Sequence, residues 1–521
     1  MKTKINFFAV TLLLRSAASA LAGVHYVDVN STNATPPYTN WATAATNIQD
    51  AVDAAVTGDE VIVTNGLYTT GVRNGNRVDV DKPLIVRSAN GPQLTSIDGG
   101  NSFRCVHLTN NASLTGFTLT NGLSSIGAGL LCESGSAAAS NCVVTGNTAF
   151  YFGGGAYQGT LIDCMLIGNL AHGRCDTKGN GGGAAGATLN NCALSRNSAY
   201  FEFPAVTFGC LYPPYHGDYG DGGGAYFCTL NNCTLTGNSA INYFNFSENT
   251  QDSGHYGDGG GAYRCALNNC TLAFNTASDS SGTRPSSHTL GAYGEGGGAY
   301  ASAVNNSIVY FNTNFGFFVF LGASGKNLAA SWGTNCCTTP DAGFGSITNA
   351  PLFLDMVAGN LRLQSNSPCI NAGNNAFAPD GPDLDGNPRI AGGTVDIGAY
   401  EFQSPVSQIS FAWLQQFNLP INPATDTADP DGDGVDNYHE WLAHSDPTNP
   451  FSFPPVLSLI PYGPNVILTW PTNAFGFTLQ SSTNLSSPVW GTNSLGPVII
   501  GGQNVIINPI TGTQQFYRLV Q

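Results

Sequence analysis

The hydrophobic positions in the middle of the chain fall in short stretches, and Gly or Asn separates each stretch from the next. From Asp221 the chain reads DGGGAYFCTLNNCTLTGNSA, and from Asp258 it reads DGGGAYRCALNNCTLAFNTA. Segments such as AYFCTL and NCTLTGN are rich in strand-forming residues and lack the 3.6-residue period of an amphipathic helix. The pattern predicts short β-strands joined by tight turns, and it excludes a helical solenoid.

These two copies belong to a longer repeat that keeps a fixed register. Five copies in register predict a solenoid, in which equivalent residues of successive coils stack ~4.8 Å apart. Gly triplets begin at Gly153, Gly181, Gly222, Gly259 and Gly296. Eleven residues after each start come Cys164, Cys192, Cys233, Cys270 and Ser307, and sixteen residues after each start come Asn169, Asn197, Asn238, Asn275 and Asn312.

The repeated Asn and Cys residues are expected to be structural. The five Asn residues should form a single file whose side-chain amides hydrogen-bond from coil to coil. Neighbouring Cys side chains in such a file point in parallel, which is poor disulfide geometry, so the four repeated Cys residues should be buried free thiols. Cys175 and Cys210 lie between repeats and are better candidates for disulfides.

The copies differ in the inserts between each repeated Asn and the next Gly triplet. The insert after Asn197 is the longest, and long inserts also follow Asn238 and Asn275. Because they leave the solenoid at one corner of successive coils, they should gather on one face. A repeated scaffold with individual inserts usually carries its function in the inserts.

The first residues and the composition restrict location and partners. Residues 1–22 have a positive start at Lys2 and Lys4, a short apolar core and a small-residue end, which predicts a signal peptide. The mature chain is therefore expected to be secreted or at the cell surface, without a transmembrane span, and monomeric. With 33 Asp and Glu against 17 Lys and Arg, the net charge is −16, which argues against nucleic acid as a partner.

The Gly-triplet coils resemble the right-handed parallel β-helix superfamily, which has the pectin-lyase-like fold. The segment from His25 to Gly71 supports the resemblance, because Ile48, Val52 and Ala55 would line a short helix that closes the first coil. SPCINAGNNAFAPDGPDLDGNPRIAGGTVDIGAYEF, at 367–402, resembles the closing choice-of-anchor segment of secreted bacterial β-helix proteins. The resemblance implies an all-β fold with a β-helix over 23–402, and it leaves the activity open because the superfamily holds lyases, hydrolases, adhesins and binding proteins.

After the solenoid, residues 403–452 form a linker with a short helix and the sequence DPDGDGVDNYHE. Alternate carboxylates, a Gly for a sharp turn and a closing Glu are the pattern of a calcium loop. Because Pro430 and the preceding NPATDTA exclude an incoming helix, the loop resembles a dockerin or thrombospondin type 3 loop more than an EF-hand. The alternative is an acidic linker turn. The expected calcium ligands are Asp429, Asp431, Asp433, the Val435 carbonyl, Asn437 and Glu440.

Residues 453–521 alternate between apolar and polar positions and contain Gly, Pro and Asn turns, which predicts a small C-terminal β-sandwich. Its aromatic residues Trp470, Trp490 and Tyr517 are expected in the core rather than in a ligand platform.

Two functional hypotheses remain. The first is an exported protein that binds a polysaccharide or cell-surface glycan through the inserts; its expected ligand-binding residues are Tyr215, Tyr219, Tyr243, Phe244, Tyr256 and Tyr293. The second is a polysaccharide lyase or glycoside hydrolase. Asp221, Asp258 and Glu295 precede successive Gly triplets and are weak candidates for acid–base chemistry, because carboxylates one coil apart would perturb each other. The alternative interpretations are that the acids are solvated turn residues and that the aromatics pack the inserts onto the solenoid.

Overall fold

The computed structural model describes residues 22–174, 177–203, 219–244, 257–281, 294–315, 327–340, 342–452, 456–472, 477–485, 489–492, 496–510 and 514–520. The described chain divides into two compact units. The first unit comprises Met1–Leu267, Leu272–Ala303 and Phe311–Ser331, and the second comprises Asn268–Thr271, Val304–Tyr310 and Trp332–Gln521. The boundaries expected at 402 and 452 both lie inside the second unit.

Parallel sheets build the first unit, and from Ser113 to Ala329 each coil contributes one strand to each of four sheets. The coil that follows Gly222 shows the order: Ala225–Tyr226, Thr229–Asn231, Thr234–Thr236 and then Ser239–Phe244. Each strand pairs in parallel with its equivalent in the preceding coil. The chain therefore forms a right-handed parallel β-helix, as predicted. The sheets that these four strands join are called sheet C, sheet A, sheet B and sheet D, respectively.

The strands of the first unit are as follows. Sheet A contains Val24–Val27, Glu60–Val63, Ile85–Ser88, Ser113–Thr115, Ala138–Ser140, Thr160–Ile162, Thr188–Asn190 and Thr229–Asn231. Sheet B contains Gly66–Tyr68, Thr95–Asp98, Thr118–Thr120, Val143–Thr145, Met165–Ile167, Ala193–Ser195 and Thr234–Thr236. Sheet C contains Asn76–Val80, Arg104–Leu108, Leu130–Cys132, Ala156–Tyr157, Ala184–Ala185, Ala225–Tyr226, Ala262–Tyr263, Ala299–Tyr300 and Leu328–Ala329. Sheet D contains Leu123–Ile126, Thr148–Phe152, Leu170–Arg174, Ser198–Phe203, Ser239–Phe244, Thr276–Ser281 and Thr313–Phe315. Three further strands, Ala266–Asn268, Thr271–Ala273 and Ala303–Asn305, fall partly in each unit, and Ile308–Tyr310, Trp332–Thr334 and Cys337–Thr338 belong to the second unit.

The Gly triplets are required by close packing of the backbone. Gly222 has φ of +66°, a left-handed conformation that favours Gly. A Cβ atom on Gly222, Gly223 or Gly224 would lie 2.4, 2.4 or 2.6 Å from a backbone oxygen, respectively. The triplet therefore lets one coil approach the next where the chain returns from an insert.

A short helix packs at the start of the first unit. This helix, α1, spans Ile48–Ala54 and follows a 3-10 turn at Trp41–Thr43. The Asn47 side chain accepts the backbone N–H of Asp50 and caps the helix. Ile48, Val52 and the following Ala55 are buried, as the sequence predicted.

The second unit contains a closing segment and a small β-sandwich. An antiparallel pair, Phe353–Asp355 with Asn360–Leu363, precedes the closing segment, which has a 3-10 turn at Asn375–Phe377. Two helices follow, α2 at Phe411–Gln416 and α3 at Asn437–Ala443. The sandwich has one sheet of Ser458–Tyr462, Asn465–Pro471, Gln503–Pro509 and Val498–Ile500, and another of Gly491–Thr492, Thr478–Ser482 and Phe516–Val520.

The two sandwich sheets share a core of Val466, Leu468, Trp470, Leu479 and Ile506, against which Tyr517 packs. Trp470 is therefore a core residue, as expected. Trp490 is partly exposed, and the Arg518 guanidinium lies 4.3 Å from its ring centroid. Trp490 was expected in the core, but it instead makes a cation–π contact at the surface.

Candidate functional site

A buried file of Asn side chains holds the coils of the first unit in register. The Nδ2 atoms of Asn169, Asn197, Asn238 and Asn275 each donate to the Oδ1 atom of the next repeated Asn at 2.9 Å. Asn147 joins the file at one end, and Asn312 continues it to Asn327. The prediction that the five repeated Asn residues lie in a single file is confirmed.

The repeated Cys residues are buried free thiols, as predicted for Cys164, Cys192, Cys233 and Cys270. The Cys192 Sγ atom accepts the backbone N–H of Cys164 at 3.4 Å, so the sulfurs lie one above another and bind backbone groups. Cys175 and Cys210, the disulfide candidates, lie outside the described residues.

The long inserts leave and return at the same edge of adjacent coils. They begin as extensions of sheet D, because Ser198–Phe203, Ser239–Phe244 and Thr276–Ser281 pair in register over their full length. The chain re-enters the described structure at Tyr219, Gly257 and Gly294, just before the Gly triplets. The described starts of all three inserts therefore lie side by side in sheet D.

The carboxylates that precede the triplets are part of the solenoid. Asp221 and Asp258 are 2% and 6% exposed. The Oδ1 atom of Asp221 accepts the backbone N–H of Asp258 at 3.0 Å, and Asp258 Oδ1 accepts that of Glu295 at 2.9 Å. In the same way, the Oδ1 atom of Asn180 accepts the backbone N–H of Asp221 at 3.0 Å. The interpretation of Asp221 and Asp258 as solvated turn residues is wrong, because each carboxylate satisfies a backbone donor of the next coil.

Glu295 is partly buried, and burial raises the pKa of its carboxyl group. The described residues thus bring the three acids into one file, as expected from the repeat. Two of the three, however, are withdrawn from solvent and occupied by backbone hydrogen bonds. A role in acid–base chemistry stays a prediction.

Of the six aromatic residues expected to bind ligand, two have described side chains. Tyr219 packs on the fully buried Phe201 with ring centroids 4.9 Å apart, which fits the alternative in which aromatics fasten the inserts to the solenoid. Tyr243 is partly exposed on the outer face of sheet D. The side chain of Phe244 and all of Tyr215, Tyr256 and Tyr293 lie outside the described residues.

The outer face of sheet D collects a polar and aromatic cluster at the base of the inserts. Strand pairing places His172 beside Tyr200 and places Glu202 between Arg174 and Tyr243. The rings of His172 and Tyr200 have centroids 5.2 Å apart, and His172 Nε2 lies 3.9 Å from Glu202 Oε2. Burial, followed by the nearby charges of Glu202 and Tyr243, raises the pKa of Tyr200. We call His172, Arg174, Tyr200, Glu202 and Tyr243 the sheet D cluster.

A second aromatic file was missed at the sequence level. Tyr226, Tyr263 and Tyr300 stack with centroid separations of 5.4 Å and interplanar angles of 7° and 11°. The signal in the sequence is the Tyr that follows GGGA in three successive repeats. The charges of Asp258, Glu295 and Asp221 add to burial in raising the pKa of Tyr300, so the acidic file runs beside this stack.

The acidic loop of the second unit folds around its own carboxylates. Carboxylate oxygens of Asp429, Asp431 and Asp433 lie within 4.8 Å of one another. Asp429 accepts the backbone N–H groups of Gly432 and Gly434 at 2.8 and 2.9 Å. Gly434 has φ of +94°, which permits the sharp turn. The last four residues of the loop, 437–440, form the first turn of α3. No helix occurs in 417–436, which is the absence of an incoming helix that the sequence predicted.

The remaining expected side-chain ligands contribute buried oxygens to this loop. The buried atoms Asp431 Oδ2, Asp433 Oδ2, Asn437 Oδ1 and Glu440 Oε2 have no hydrogen-bond partner. Glu440 is fully buried, and burial together with the charges of the three Asp residues raises its pKa to about 7. Placing several carboxylates this close together costs electrostatic free energy, which a bound divalent cation would offset. The residues present therefore fit a hard cation with oxygen ligands.

These features define a parallel β-helix protein with an acidic loop and a β-sandwich. No protein-family model matches the chain, and a comparison with curated proteins finds no match either. Solved structures that are similar include the pectate lyase Pel9A, with a TM-score of 0.37 and 14% identity over 73% of this chain and 96% of that chain. Another is a pectin methylesterase mutant in complex with hexasaccharide IV, with a TM-score of 0.24 and 10% identity over 65% of this chain and 98% of that chain. Across the part of the chain that the structure describes, no helix has the length and apolar character needed to cross a membrane.

Proposed function

We propose that this is an exported protein, secreted or held at the cell surface, that binds a polysaccharide through the sheet D cluster and the inserts that follow its strands in sequence. The observation that carries the proposal is the pair of partly exposed tyrosines, Tyr200 and Tyr243, on adjacent strands that lead into two of the long inserts. Tyrosine rings pack on the apolar faces of sugars, and their hydroxyl groups hydrogen-bond. His172, Arg174 and Glu202 add donors and acceptors for sugar hydroxyl groups.

A polysaccharide lyase or glycoside hydrolase is the alternative. Binding is supported over catalysis by the environment of the acidic file, because Asp221 and Asp258 are buried and accept backbone N–H groups. A general acid or base must reach the atom whose proton it transfers. Groups held within the solenoid backbone are poorly placed for that task.

Replacing Tyr243 or Tyr200 with Ala is expected to weaken polysaccharide binding by about tenfold, since each change removes one stacking surface worth on the order of 1 kcal/mol or more. A glycan array on the mature chain would identify the ligand, and calorimetry would measure affinity. The matched control is Phe227→Ala, which removes another exposed ring from the first unit, on a turn outside sheet D.

Release of reducing ends or unsaturated sugars by the unaltered chain would favour the enzyme over the binding protein. If Tyr200→Ala and Tyr243→Ala bind as tightly as the Phe227→Ala control, the sheet D cluster is not the site.

We also propose that the acidic loop binds calcium through Asp429, Asp431, Asp433, the Val435 carbonyl, Asn437 and Glu440. The proposal is supported by the buried oxygens that have no hydrogen-bond partner, which include Glu440 Oε2. Glu440 would close the site, because it is the carboxylate at the last position of the loop.

Replacing Glu440 with Gln is expected to weaken calcium binding at least about tenfold, because the change removes a buried charged ligand. Calorimetric titration of the mature chain with calcium would measure the change. Asp436→Asn is the matched control: Asp436 caps α3 through the His439 N–H, Asn can do the same, and neither is expected to bind the ion. Equal calcium affinity in Glu440→Gln and the control would reject the assignment.

A further inference from the structure

The second unit contains a cavity of about 820 Å³ that is separate from the sheet D cluster. Its lining comes from Asn335 and residues 344–349, from the closing segment, and from α2 and α3 with their flanking residues. The volume is within the range of small-ligand sites, which is roughly 300–1,000 Å³. We call it the tryptophan cleft, and its principal lining residues are Phe344, Asn371, Trp413, Gln416, Trp441 and His444.

Two tryptophan rings line the cleft, and each is held by another aromatic ring. Trp413 on α2 is partly exposed and contacts Phe417 with centroids 5.0 Å apart. Trp441 on α3 is also partly exposed and contacts Tyr438 with centroids 5.9 Å apart. Rings that are already oriented lose little conformational freedom when a ligand packs on them. Flat, fixed indole faces in a cleft suit the apolar face of a sugar ring.

The buried Asn371 side chain forms part of the wall of the cleft. This residue is fully buried, and its Nδ2 atom donates to the Ser407 carbonyl at 2.8 Å. Its Oδ1 atom has no hydrogen-bond partner. A buried acceptor without a partner costs about 1–3 kcal/mol.

The chemistry of the lining favours an uncharged ligand. Among the described residues that line the cleft, none is Asp, Glu, Lys or Arg, and His444 is the ionisable member. Amides such as Gln416 can donate to and accept from hydroxyl groups without charge. A uronate or sulfated sugar would bring a negative charge that no Lys or Arg of the lining neutralises.

From these observations we infer that the tryptophan cleft binds a neutral oligosaccharide, with Trp413 and Trp441 as stacking surfaces and Gln416 as a hydrogen-bonding group for sugar hydroxyls. The α3 wall of the cleft follows directly from the acidic loop, since Glu440 precedes Trp441 on the same helix. In this respect alone the inference rests on the calcium proposal: ion binding would fix the start of α3 and so the position of the Trp441 ring.

The test is calorimetric titration of the calcium-loaded mature chain with cellohexaose, xylohexaose, mannohexaose and, for comparison, hexagalacturonate. At least one neutral hexasaccharide should bind. Trp413→Ala and Trp441→Ala should each weaken that binding at least tenfold, and Trp413→Phe and Trp441→Phe should weaken it less because they keep an aromatic ring. The matched control, Trp332→Ala, removes a 65% exposed ring that does not line the cleft and should leave affinity unchanged.

Two further arms separate this site from the others. Tyr200→Ala and Tyr243→Ala should leave binding at the cleft intact, so loss in the Trp variants alone supports the cleft, whereas loss in the Tyr variants alone overturns it. Chelation with EDTA, or Glu440→Gln, should weaken neutral-sugar binding, and unchanged binding would overturn the calcium link. The cleft itself is overturned if no neutral hexasaccharide binds at millimolar concentration, if both Trp→Ala variants bind normally, or if hexagalacturonate is the preferred ligand of the cleft.

Discussion

Replacing Asn238 with Ala is expected to lower the free energy of unfolding by about 3 to 6 kcal/mol, because several buried polar groups lose a partner at once. The fully buried Asn238 side chain donates to the Leu194 carbonyl at 3.0 Å and to Asn275 Oδ1 at 2.9 Å. Its Oδ1 atom accepts the backbone N–H of Asn197 at 3.0 Å and the Asn197 Nδ2 group at 2.9 Å. The Ala variant loses all four bonds and leaves a small cavity.

Urea unfolding of the mature chain, followed with hydrogen exchange in the coils, would measure this loss. Asn238→Asp is a near-isosteric variant that fills the same space, but it loses both donors and sets a carboxylate oxygen against Asn275 Oδ1. If hydrogen bonding stabilises the file, Asn238→Asp should therefore lose nearly as much unfolding free energy as Asn238→Ala. Thr236→Ala, at an outward-facing position of the same coil, should shift the unfolding free energy by less than about 0.5 kcal/mol. Equal effects at 236 and 238 would refute the proposed importance of the Asn file.

The Asn and Cys files could be predicted from sequence because their register repeats. A residue type that recurs at one position of every coil must occupy one line along the solenoid, so the single file followed from spacing alone. The chemistry also followed, since an amide has both a donor and an acceptor and can link identical neighbours in series. Neither the single file nor its amide-to-amide hydrogen bonds depend on the detailed backbone path.

The environment of the acidic file could not be predicted in the same way. Its register was visible in Asp221, Asp258 and Glu295, but whether the side chains point outwards or inwards depends on the backbone of the Gly triplets. Gly222 and Gly259 have left-handed φ values of +66° and +65°. Because Gly tolerates many conformations, sequence does not determine the direction in which the preceding residue points.

The tryptophan cleft was also invisible in the sequence, for a different reason. Its lining comes from segments as far apart as Asn335 and His444, and no repeat connects them. Trp413 and Trp441 each look like ordinary helix residues when considered alone. The acidic loop, in contrast, was recognisable because its oxygen-bearing residues lie within one short segment with fixed spacing.

The closing segment connects the stability of the second unit to the cleft. Asp396 is fully buried, and its Oδ1 atom accepts the backbone N–H of Asn371 at 2.7 Å. Burial, followed by the charge of Glu401, raises the pKa of Asp396 well above its ordinary value. Asp396 therefore keeps its proton to higher pH in the folded state than in the unfolded state. Its contribution to stability is complete below about pH 4 and declines as pH rises through the folded-state pKa.

Replacing Glu401 with Ala is expected to destabilise the second unit by about 3–5 kcal/mol, because it leaves a buried guanidinium without its counter-charge. The side chains of Arg389 and Glu401 are 4% and 0% exposed, and Arg389 Nη2 donates to Glu401 Oε2 at 2.9 Å. The same carboxylate accepts the backbone N–H groups of Ala391 and Asp396 at 2.8 and 3.0 Å.

Glu401→Gln should be milder than Glu401→Ala. Gln keeps one acceptor oxygen, and loss of the Glu401 charge would lower the pKa of Asp396, so that Asp396 can ionise beside Arg389. The unfolding free energy of the two variants at pH 5 and pH 8 provides the measurement. Relative to the unaltered chain, Glu401→Gln should lose less stability at pH 8 than at pH 5, since ionised Asp396 then replaces the missing charge.

The exposed pair of Arg362 with Asp385 provides a matched control, because Asp385→Ala removes a surface salt bridge and should cost about 1 kcal/mol or less. If Glu401→Ala costs no more than this control, the buried charges do not stabilise the closing segment, and Asn371 is not held in the cleft by them.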